Sequence, residues 1–242
     1  MLTNGVTIIS DTGASYHSFN DFGLAIGNTD YIKEPEYETH YVEILGRNGF
    51  IDLSETVSGR VIYKEREISI EFGGMNPEAQ WDEVISNMRN LFHGRQVQLI
   101  FDNDPNWYWT GRAEINEFDR FRNMGTFTLD IPKADPFKYS VEEEVLGGYA
   151  LEYGSPITVA VPVTAQPVEP TFIVSNYSAS SSSNSISVEV QTAAGGRVSL
   201  NYIYANGVYR LPNVFVEKGN RIVLTGYVST ATVQIRYRQV SL

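Results

Sequence analysis

Residues 46–136 constrain the fold more than any other part of the chain, because one amphipathic helix lies there between segments that alternate apolar and polar residues. The clearest of these segments, residues 60–72, is predicted to be a strand with one buried face, and Gly73 and Gly74 are predicted to end it. Further strands are predicted at residues 96–101, 107–118 and 126–131. This order of elements favours an antiparallel β domain with one helix packed on its sheet.

The predicted helix begins near Asn76 and ends at Gly94. Asn76 is a favourable N-cap, and Pro77 suits the first helical position. Trp81 begins an apolar stripe at helical spacing, which also includes Val84, Ile85, Met88, Leu91 and Phe92. Such a stripe indicates a helix with one buried face. Gly94 is the expected residue just past its end.

Beyond residue 140 the sequence predicts only β structure. Short alternating segments are separated by turn sequences at residues 195–196, 206–207 and 218–220, which is typical of a β-sandwich or jelly roll. The serine-rich residues 178–187 are predicted to be an exposed loop. A break in the pattern between Pro132 and Tyr153 places the domain boundary, so that residues 1–140 form a first domain and residues 141–242 a second.

The charge of the chain is unevenly distributed. Residues 1–140 hold 12 Lys and Arg against 22 Asp and Glu, a net charge of −10, whereas residues 141–242 hold 6 against 7, a net charge of −1. This excess of acid argues against binding to a nucleic acid backbone. Ordinary solubility explains it, and a conduit through which DNA passes without binding is compatible with it.

Several classes of function are disfavoured by what the sequence lacks. The chain has no cysteine, so it forms no disulfide, thiolate nucleophile or cysteine-ligated zinc site. No apolar run approaches the ~18 residues that span a membrane. The first residues lack the basic start and apolar core of a signal peptide. No local motif marks a nucleophile, a phosphate-binding loop or a pair of catalytic carboxylates, so we expect no catalytic residue and no cofactor.

Two groups of residues are candidate metal ligands. Asp102, Asn103 and Asp104 suggest a calcium loop, but Trp107 occupies the position where an EF-hand needs glycine, and a turn is the favoured interpretation. His17, His40 and His93 lie far apart in the sequence. We therefore expect no metal site.

Aromatic residues offer both packing and binding interpretations. Trp107 and Trp109 fall on the same side of one predicted strand, and core packing is favoured for them. Four tyrosines of the second domain are candidates for contact with a glycan or a protein partner, with a structural role as the alternative. They are Tyr202, Tyr204, Tyr209 and Tyr227.

Taken in order, the motifs of residues 15–140 resemble the distal tail (Dit) proteins of long-tailed bacteriophages. The residues that carry the resemblance are Phe22-Gly23-Leu24, Gly46-Arg47-Asn48-Gly49, Arg66 in its strand, Phe92-His93-Gly94, Asp102 to Arg112 and Asp135 to Tyr139. Leu45 stands where the family usually has proline before the glycine-arginine turn. Residues 215–242 are similar to the last strands of the galectin-like jelly roll that often follows in this family.

The resemblance implies a structural protein without enzymatic activity, located in the virion and assembled in the host cytoplasm. It implies a homo-hexameric ring that joins the tail tube protein to the tail-tip protein, while DNA passes through the channel without specific binding. It also implies a galectin-like second domain that carries receptor-binding proteins or touches cell-wall glycan. The residues expected to determine the fold or the interfaces are Gly46, Arg47, Gly49, Arg66, Trp81, Gly94, Asp104, Pro105, Gly111, Arg112 and Pro136.

Two other functions stay open from the residues alone. One is a carbohydrate-binding module that recognises host cell-wall polysaccharide. The other is a hydrolase that uses a carboxylate pair not evident in the sequence, which release of soluble sugar from purified walls would reveal.

Overall fold

The computed structural model describes residues 5–29, 31–56, 59–77, 80–163, 165–179, 181 and 184–242, without the side chain of residue 117. The described residues are mostly strands, which confirms the predicted mainly β fold class. Contacts within the chain divide it into two compact units, Met1–Lys138 and Tyr139–Leu242.

The first unit contains two helices, α1 (Ser18–Phe22) and α2 (Trp81–Phe92). Its strands are β1 (Val6–Ser10), β2 (Ser15–His17), β3 (Leu24–Ile26), β4 (Tyr41–Glu43), β5 (Phe50–Asp52), β6 (Arg66–Met75), β7 (Gln96–Phe101), β8 (Trp107–Arg112), β9 (Glu114–Phe121) and β10 (Met124–Ala134). Strand β11 (Lys138–Ser140) spans the boundary between the units. The five-residue helix α1 was not predicted from the sequence.

Two antiparallel sheets and α2 share the core of the first unit. One sheet has the order β3-β6-β10-β9, and in the other β2, β1, β7 and β8 lie side by side. In the middle of β6 and β10, buried apolar residues alternate with polar residues that are less buried, as the sequence pattern predicts. The largest fully buried side chains of this core are Trp81, Phe72, Phe92, Phe127, Ile8, Leu24, Ile68, Ile70, Met88 and Leu99.

The start of the helix differs from its prediction. Helix α2 begins at Trp81, and residues 78 and 79 lie outside the described residues. Asn76 does not cap it, because the side-chain amide of Asn76 donates to the carbonyl oxygen of Phe22 at 3.2 Å. The predicted end is confirmed, since Phe92 is the last helical residue and Gly94 follows two positions later.

The limits of other predicted strands were also wrong, and the strand predicted at residues 126–131 runs from Met124 to Ala134. Strand β6 begins at Arg66 rather than at residue 60 and continues through Gly73 and Gly74 to Met75. Gly74 serves close packing, because a Cβ atom there would lie 2.7 Å from the carbonyl oxygen of Gly23. The segment predicted as one strand at residues 107–118 forms two strands that are separated at Ala113.

The described residues of the second unit form strands and connecting loops and contain no helix. They are β12 (Glu144–Leu151), β13 (Pro156–Ala160), β14 (Thr171–Ser178), β15 (Ile186–Gln191), β16 (Arg197–Ile203), β17 (Gly207–Arg210), β18 (Arg221–Gly226), β19 (Thr230–Tyr237) and β20 (Val240–Ser241). Two four-stranded sheets have the orders β12-β19-β14-β17 and β13-β18-β15-β16. Their buried faces form the predicted sandwich core, which includes Phe172, Val188, Leu224, Val233 and Ile235.

The serine-rich segment was predicted incorrectly as an exposed loop over its whole length. Residues 180, 182 and 183 lie outside the described residues, but Ser185 and Ser187 are buried, and Ser187 belongs to β15. These small side chains lie on the outer face of β15 between the larger side chains of the neighbouring strands β16 and β18.

Candidate assembly and binding surfaces

A two-stranded ribbon extends from the first unit and is called here the hairpin arm (residues 36–56 and 59–64). At its base the backbone N–H of Lys64 donates to the carbonyl of Glu36 at 2.8 Å, and that of Glu38 donates to Ile62 at 2.9 Å. Farther out, β4 pairs with β5. Every residue from 36 to 50 is exposed, so neither face of this part of the ribbon is covered within the chain.

The predicted glycine-arginine turn forms the tip of the hairpin arm. Gly46 and Gly49 have φ angles of +83° and +82°, a conformation that favours glycine. The N–H of Arg47 donates to the carbonyl of Ile44 at 3.0 Å and closes the turn. Leu45 projects from it with 103% relative exposure. The two glycines therefore shape a tip that presents a leucine and an arginine to solvent.

The hairpin arm is unusually apolar for an exposed ribbon. Tyr41 and Phe50 pack edge to face with their ring centroids 4.4 Å apart, yet both rings are exposed. The exposed large apolar residues of the arm are Tyr37, Tyr41, Val42, Ile44, Leu45, Phe50, Leu53 and Val61. An isolated two-stranded hairpin is marginally stable in water, and many large apolar side chains on one exposed ribbon typically mark an interaction site.

A second exposed apolar surface was not predicted from the sequence. Met75, Phe121 and Met124 are all exposed, and Met124 lies opposite both Met75 and Phe121 across neighbouring strands. They form what is called here the methionine patch, at the end of the β6-β10-β9 sheet. The guanidinium of Arg122 lies 5.5 Å from the centroid of the Phe121 ring. Each of these residues stands singly at a strand end, so no sequence pattern identifies them as a group.

Three of the predicted motif residues lie in internal contacts of the first unit. Trp81 is fully buried, and its Nε1 donates to the carbonyl of Asn123 at 3.2 Å. Gly111 lies against β10, where a Cβ atom would come within 2.2 Å of the Cγ2 atom of Ile131. The guanidinium of Arg112 donates to the carbonyl of Gly94, which links β8 to the residue that follows α2.

The predicted acidic turn also makes contacts inside the first unit. Asp104 forms an ion pair with Lys138 at 2.6 Å, and the same ammonium group lies 5.2 Å from the centroid of the Trp107 ring. Pro105 lies exposed within this turn. Near Pro136, the carboxylate of Asp135 accepts from the N–H of Phe137 at 2.9 Å. Pro105 follows Asp104 directly, and Pro136 stands two residues before Lys138, so both prolines lie between the two partners of this ion pair in the sequence.

Arg66 is a buried cation at the start of β6. Its guanidinium lies 4.3 Å from the centroid of the Trp109 ring, while Nε and Nη2 have no hydrogen-bond partner among the described residues. Burial lowers the pKa of Arg66, and the carboxylates of Glu34 and Asp135 oppose that shift. Stacking on the tryptophan is the contact that holds this side chain in the core.

The four tyrosines singled out from the sequence all lie near one end of the second unit. Tyr202 is opposite Ser187, and the backbone N–H of Tyr227 donates to the carbonyl of Ser185 at 2.8 Å, so one strand, β15, lies between Tyr202 and Tyr227. The ring of Tyr153 packs edge to face on Tyr227 at 6.1 Å. Tyr153 was not predicted as a contact residue, because it stands outside any alternating segment.

Tyr204 and Tyr209 lie close to a further tyrosine that the sequence did not indicate. Burial raises the pKa of Tyr177, and the phenol groups of Tyr204 and Tyr209 contribute to the same shift. The hydroxyl of Tyr177 donates to the carbonyl of Asn184 at 2.6 Å, and that of Tyr209 donates to the carbonyl of Ala205 at 3.0 Å. These bonds fix the tyrosines at the end of the sandwich.

Two further properties concern the part of the chain that the structure describes. No group of three or more His, Asp or Glu side chains there is placed to hold a metal ion. No helix there is both long and apolar enough to cross a membrane.

Comparison with known proteins finds the fold but no close relative. No protein-family model and no curated protein matches the chain. Two structures of the phage p2 baseplate in its activated conformation, with Sr and with Ca, match at 8% identity with TM-scores of 0.44 and 0.43, over 96% of this chain and 97% of theirs.

A closer likeness is to the Dit protein of phage SPP1, whose crystal structure is described as a paradigm of the hub adsorption apparatus in phages that infect Gram-positive bacteria. The TM-score is 0.67 at 14% sequence identity, and the match covers 98% of this chain and 99% of the SPP1 chain. Both units take part in a match of that extent, and the resemblance found in the sequence is thereby confirmed: this chain has the fold of a Dit protein along its length.

Proposed function

We propose that this protein is the structural hub of a long-tailed phage tail tip, a homo-hexameric ring that joins the tail tube to the tail-tip protein. The observation that carries the proposal is the structural match with SPP1 Dit over nearly the whole of both chains. The first unit would form the ring. The second, galectin-like unit would carry receptor-binding or other peripheral proteins. No enzymatic step is part of this function.

The exposed surfaces of the first unit support a ring. In a cyclic ring each subunit contacts its neighbours through two different surfaces, unlike a two-fold dimer, which uses one surface twice. The hairpin arm and the methionine patch are two separate exposed apolar surfaces. In this proposal the arm of one subunit packs on the patch of the next, and both lose their contact with water.

The predicted motif residues divide into two roles in this proposal. Gly46, Arg47 and Gly49 would make contacts between subunits, because they form the exposed tip of the hairpin arm. The others would maintain the fold from which the arm extends, since they make contacts within the first unit or, for Pro105 and Pro136, lie in turns beside such contacts. They are Arg66, Trp81, Gly94, Asp104, Pro105, Gly111, Arg112 and Pro136.

The acidity of residues 1–140 supports a conduit for DNA within the same ring. Their net charge of −10 in each chain supplies acidic side chains in every subunit, and those that face the channel would repel the phosphate backbone. DNA would then pass without specific binding. Such a ring belongs to the virion tail and would be assembled in the host cytoplasm.

Measurement of the mass in solution tests the proposal. Six copies of the 27.1 kDa chain have a mass of 162.6 kDa, which light scattering after size exclusion distinguishes from a monomer. We expect a species of that mass and ring-shaped particles with an open centre in negative stain. A monomer at every concentration up to that of concentrated stocks, with no ring in the images, would contradict self-assembly of the ring.

A further inference from the structure

Sulfur chemistry in this chain is limited to its methionines. The sequence contains no cysteine, and its four methionines are Met1, Met75, Met88 and Met124. Met1 lies outside the described residues. Peroxides oxidise both thiolates and the methionine thioether, which becomes a sulfoxide. Because the chain has no thiol, methionine is the sulfur-containing side chain through which such an oxidant changes it.

The three described methionines differ sharply in their exposure to solvent. Met88 lies on the buried face of α2 and has a relative exposure of 0%. Met75 and Met124 are 77% and 59% exposed. A peroxide dissolved in water therefore reaches two of these sulfur atoms directly, whereas it reaches the third only when the helix opens locally.

The pairing of β6 with β10 brings the two exposed methionines together. Met75 is the last residue of β6, Met124 is the first residue of β10, and the two lie directly opposite each other in the antiparallel register. Opposite residues of such a pair share one face of the sheet, with Cβ atoms about 5 Å apart. One small area of the surface thus contains both accessible sulfur atoms.

Oxidation would change the chemical character of the methionine patch. Phe121, which is 73% exposed, lies opposite Met124 on β9, so the patch is a surface of one aromatic and two thioether side chains. A sulfoxide converts a flexible apolar methionine side chain into a polar one. Two sulfoxides would leave the phenylalanine as the single apolar side chain of the three.

We propose that Met75 and Met124 form a paired oxidation site that controls whether the methionine patch can bind another subunit. With hydrogen peroxide, the thioether sulfur donates an electron pair to one peroxide oxygen. The O–O bond breaks as the S–O bond forms, and the second oxygen leaves as water after taking up the proton of the transferred hydroxyl. Each sulfur is oxidised by two electrons, and each peroxide molecule is reduced by two.

The effect on assembly rests on the ring proposed above, in which the hairpin arm of one subunit packs on the patch of the next. Burying a polar sulfoxide in an apolar contact without a hydrogen-bond partner is unfavourable, so oxidised subunits would stay out of the ring. A ring that has already formed would cover the patch and protect both methionines. Sulfoxide reductases reverse the modification, so an excluded subunit could return to assembly.

Peptide mapping after exposure to hydrogen peroxide tests the site itself. The full chain is treated at a concentration where it does not assemble, and the sulfoxide at each methionine is followed by mass spectrometry over time. We expect Met88 to be oxidised at least about tenfold more slowly than Met75 and Met124, because it is reached only through local opening. At concentrations where the ring forms, the two patch methionines should also react more slowly.

Light scattering across a concentration series tests the consequence for assembly. We expect the concentration at which half of the protein is hexameric to rise at least about tenfold after oxidation, because each contact would have to bury a sulfoxide. Treatment with both methionine sulfoxide reductases, one for each sulfoxide epimer, should restore the untreated value.

Leucine replacements separate the patch from the other methionines. The double variant Met75→Leu with Met124→Leu keeps the apolar volume and removes both sulfur atoms, so it should assemble like the native chain and be insensitive to peroxide. The matched control is Met88→Leu, which keeps both patch sulfur atoms and should stay sensitive. Circular dichroism and melting temperature verify that each variant has the native fold.

The contrary results have separate meanings. The proposal is overturned if Met88 reacts as fast as the patch methionines, if the oxidised chain assembles at the same concentration as the untreated chain, or if the double leucine variant remains sensitive to peroxide. A native chain that forms no hexamer would contradict the proposed ring, and with it the effect on assembly. The peptide map would still decide whether Met75 and Met124 are the oxidation site.

Discussion

Leu45 provides the sharpest test of how subunits associate. Its side chain is fully exposed at the tip of the hairpin arm, so replacing it by aspartate removes no contact within the chain. If the tip is buried in the neighbouring subunit, the change removes the free energy gained by burying one leucine side chain, about 2 kcal/mol at each interface. That loss corresponds to an approximately 30-fold weaker contact between subunits. A closed ring of six contains six such contacts and loses all of them together.

The assay is light scattering across a concentration series. We expect the concentration at which half of the protein is hexameric to rise at least about 30-fold in Leu45→Asp, because each interface loses the burial of one leucine. Leu45→Ala should change it in the same direction and by less, because it keeps one methyl group and adds no charge. The matched control is Val208→Asp, which places the same charge on an exposed apolar residue of the second unit.

The melting temperature separates loss of contact from loss of fold. Because Leu45 makes no buried contact in the isolated chain, Leu45→Asp should have the same melting temperature as the native monomer at concentrations where neither assembles. The reasoning is refuted if Leu45→Asp has the same dependence of mass on concentration as the native chain. It is also refuted if Val208→Asp disrupts the hexamer as strongly.

Two predictions concern the fold itself. Gly111→Ala should lower the free energy of unfolding by about 1–3 kcal/mol, because its Cβ atom would overlap Ile131. Gly73→Ala has room for a Cβ atom and should change that free energy by less than about 0.5 kcal/mol. Urea unfolding followed by tryptophan fluorescence measures both, and equal effects would contradict the packing argument. Tyr237→Phe should raise stability by about 1 kcal/mol, because the buried hydroxyl has no hydrogen-bond partner among the described residues. Burial and the nearby Glu144 raise the pKa of Tyr237 above its ordinary value of 10.0, so native stability should fall as pH rises above that value. In Tyr237→Phe, circular dichroism should show a smaller fall.

The sequence predicted the strands better than their limits. Alternation of apolar residues identifies a strand because side chains on opposite faces meet different surroundings, and the segment at 96–101 was predicted with its observed bounds. The helix start was missed because Asn76, a good N-cap by residue type, donates instead to Phe22, more than fifty residues away in sequence. Gly73 and Gly74 looked like strand breakers, yet β6 continues through both, and Gly74 allows it to pack closely against β3.

The candidate surfaces could be predicted only where local geometry determined them. Gly46 and Gly49 were recognised as a turn, since positive φ angles select glycine at such positions. The sequence did not show that the hairpin they close is exposed on all sides. The methionine patch was missed for a similar reason. Met75 and Met124 are adjacent only through the register of β6 with β10, and no local pattern encodes that register.

Strand β16 shows why period-two patterns leave function undecided. Val198, Leu200 and Tyr202 alternate with polar residues, a pattern that ordinarily places the apolar set in the core. The register of β16 with β15 instead places Tyr202 on the outer face opposite Ser187, while Ile203 is buried. The pattern shows that a strand has two unlike faces, but only the neighbouring strands decide which face is covered. Side chains that remain exposed after this pairing, as Val198 and Tyr202 do, are available for contact with a partner.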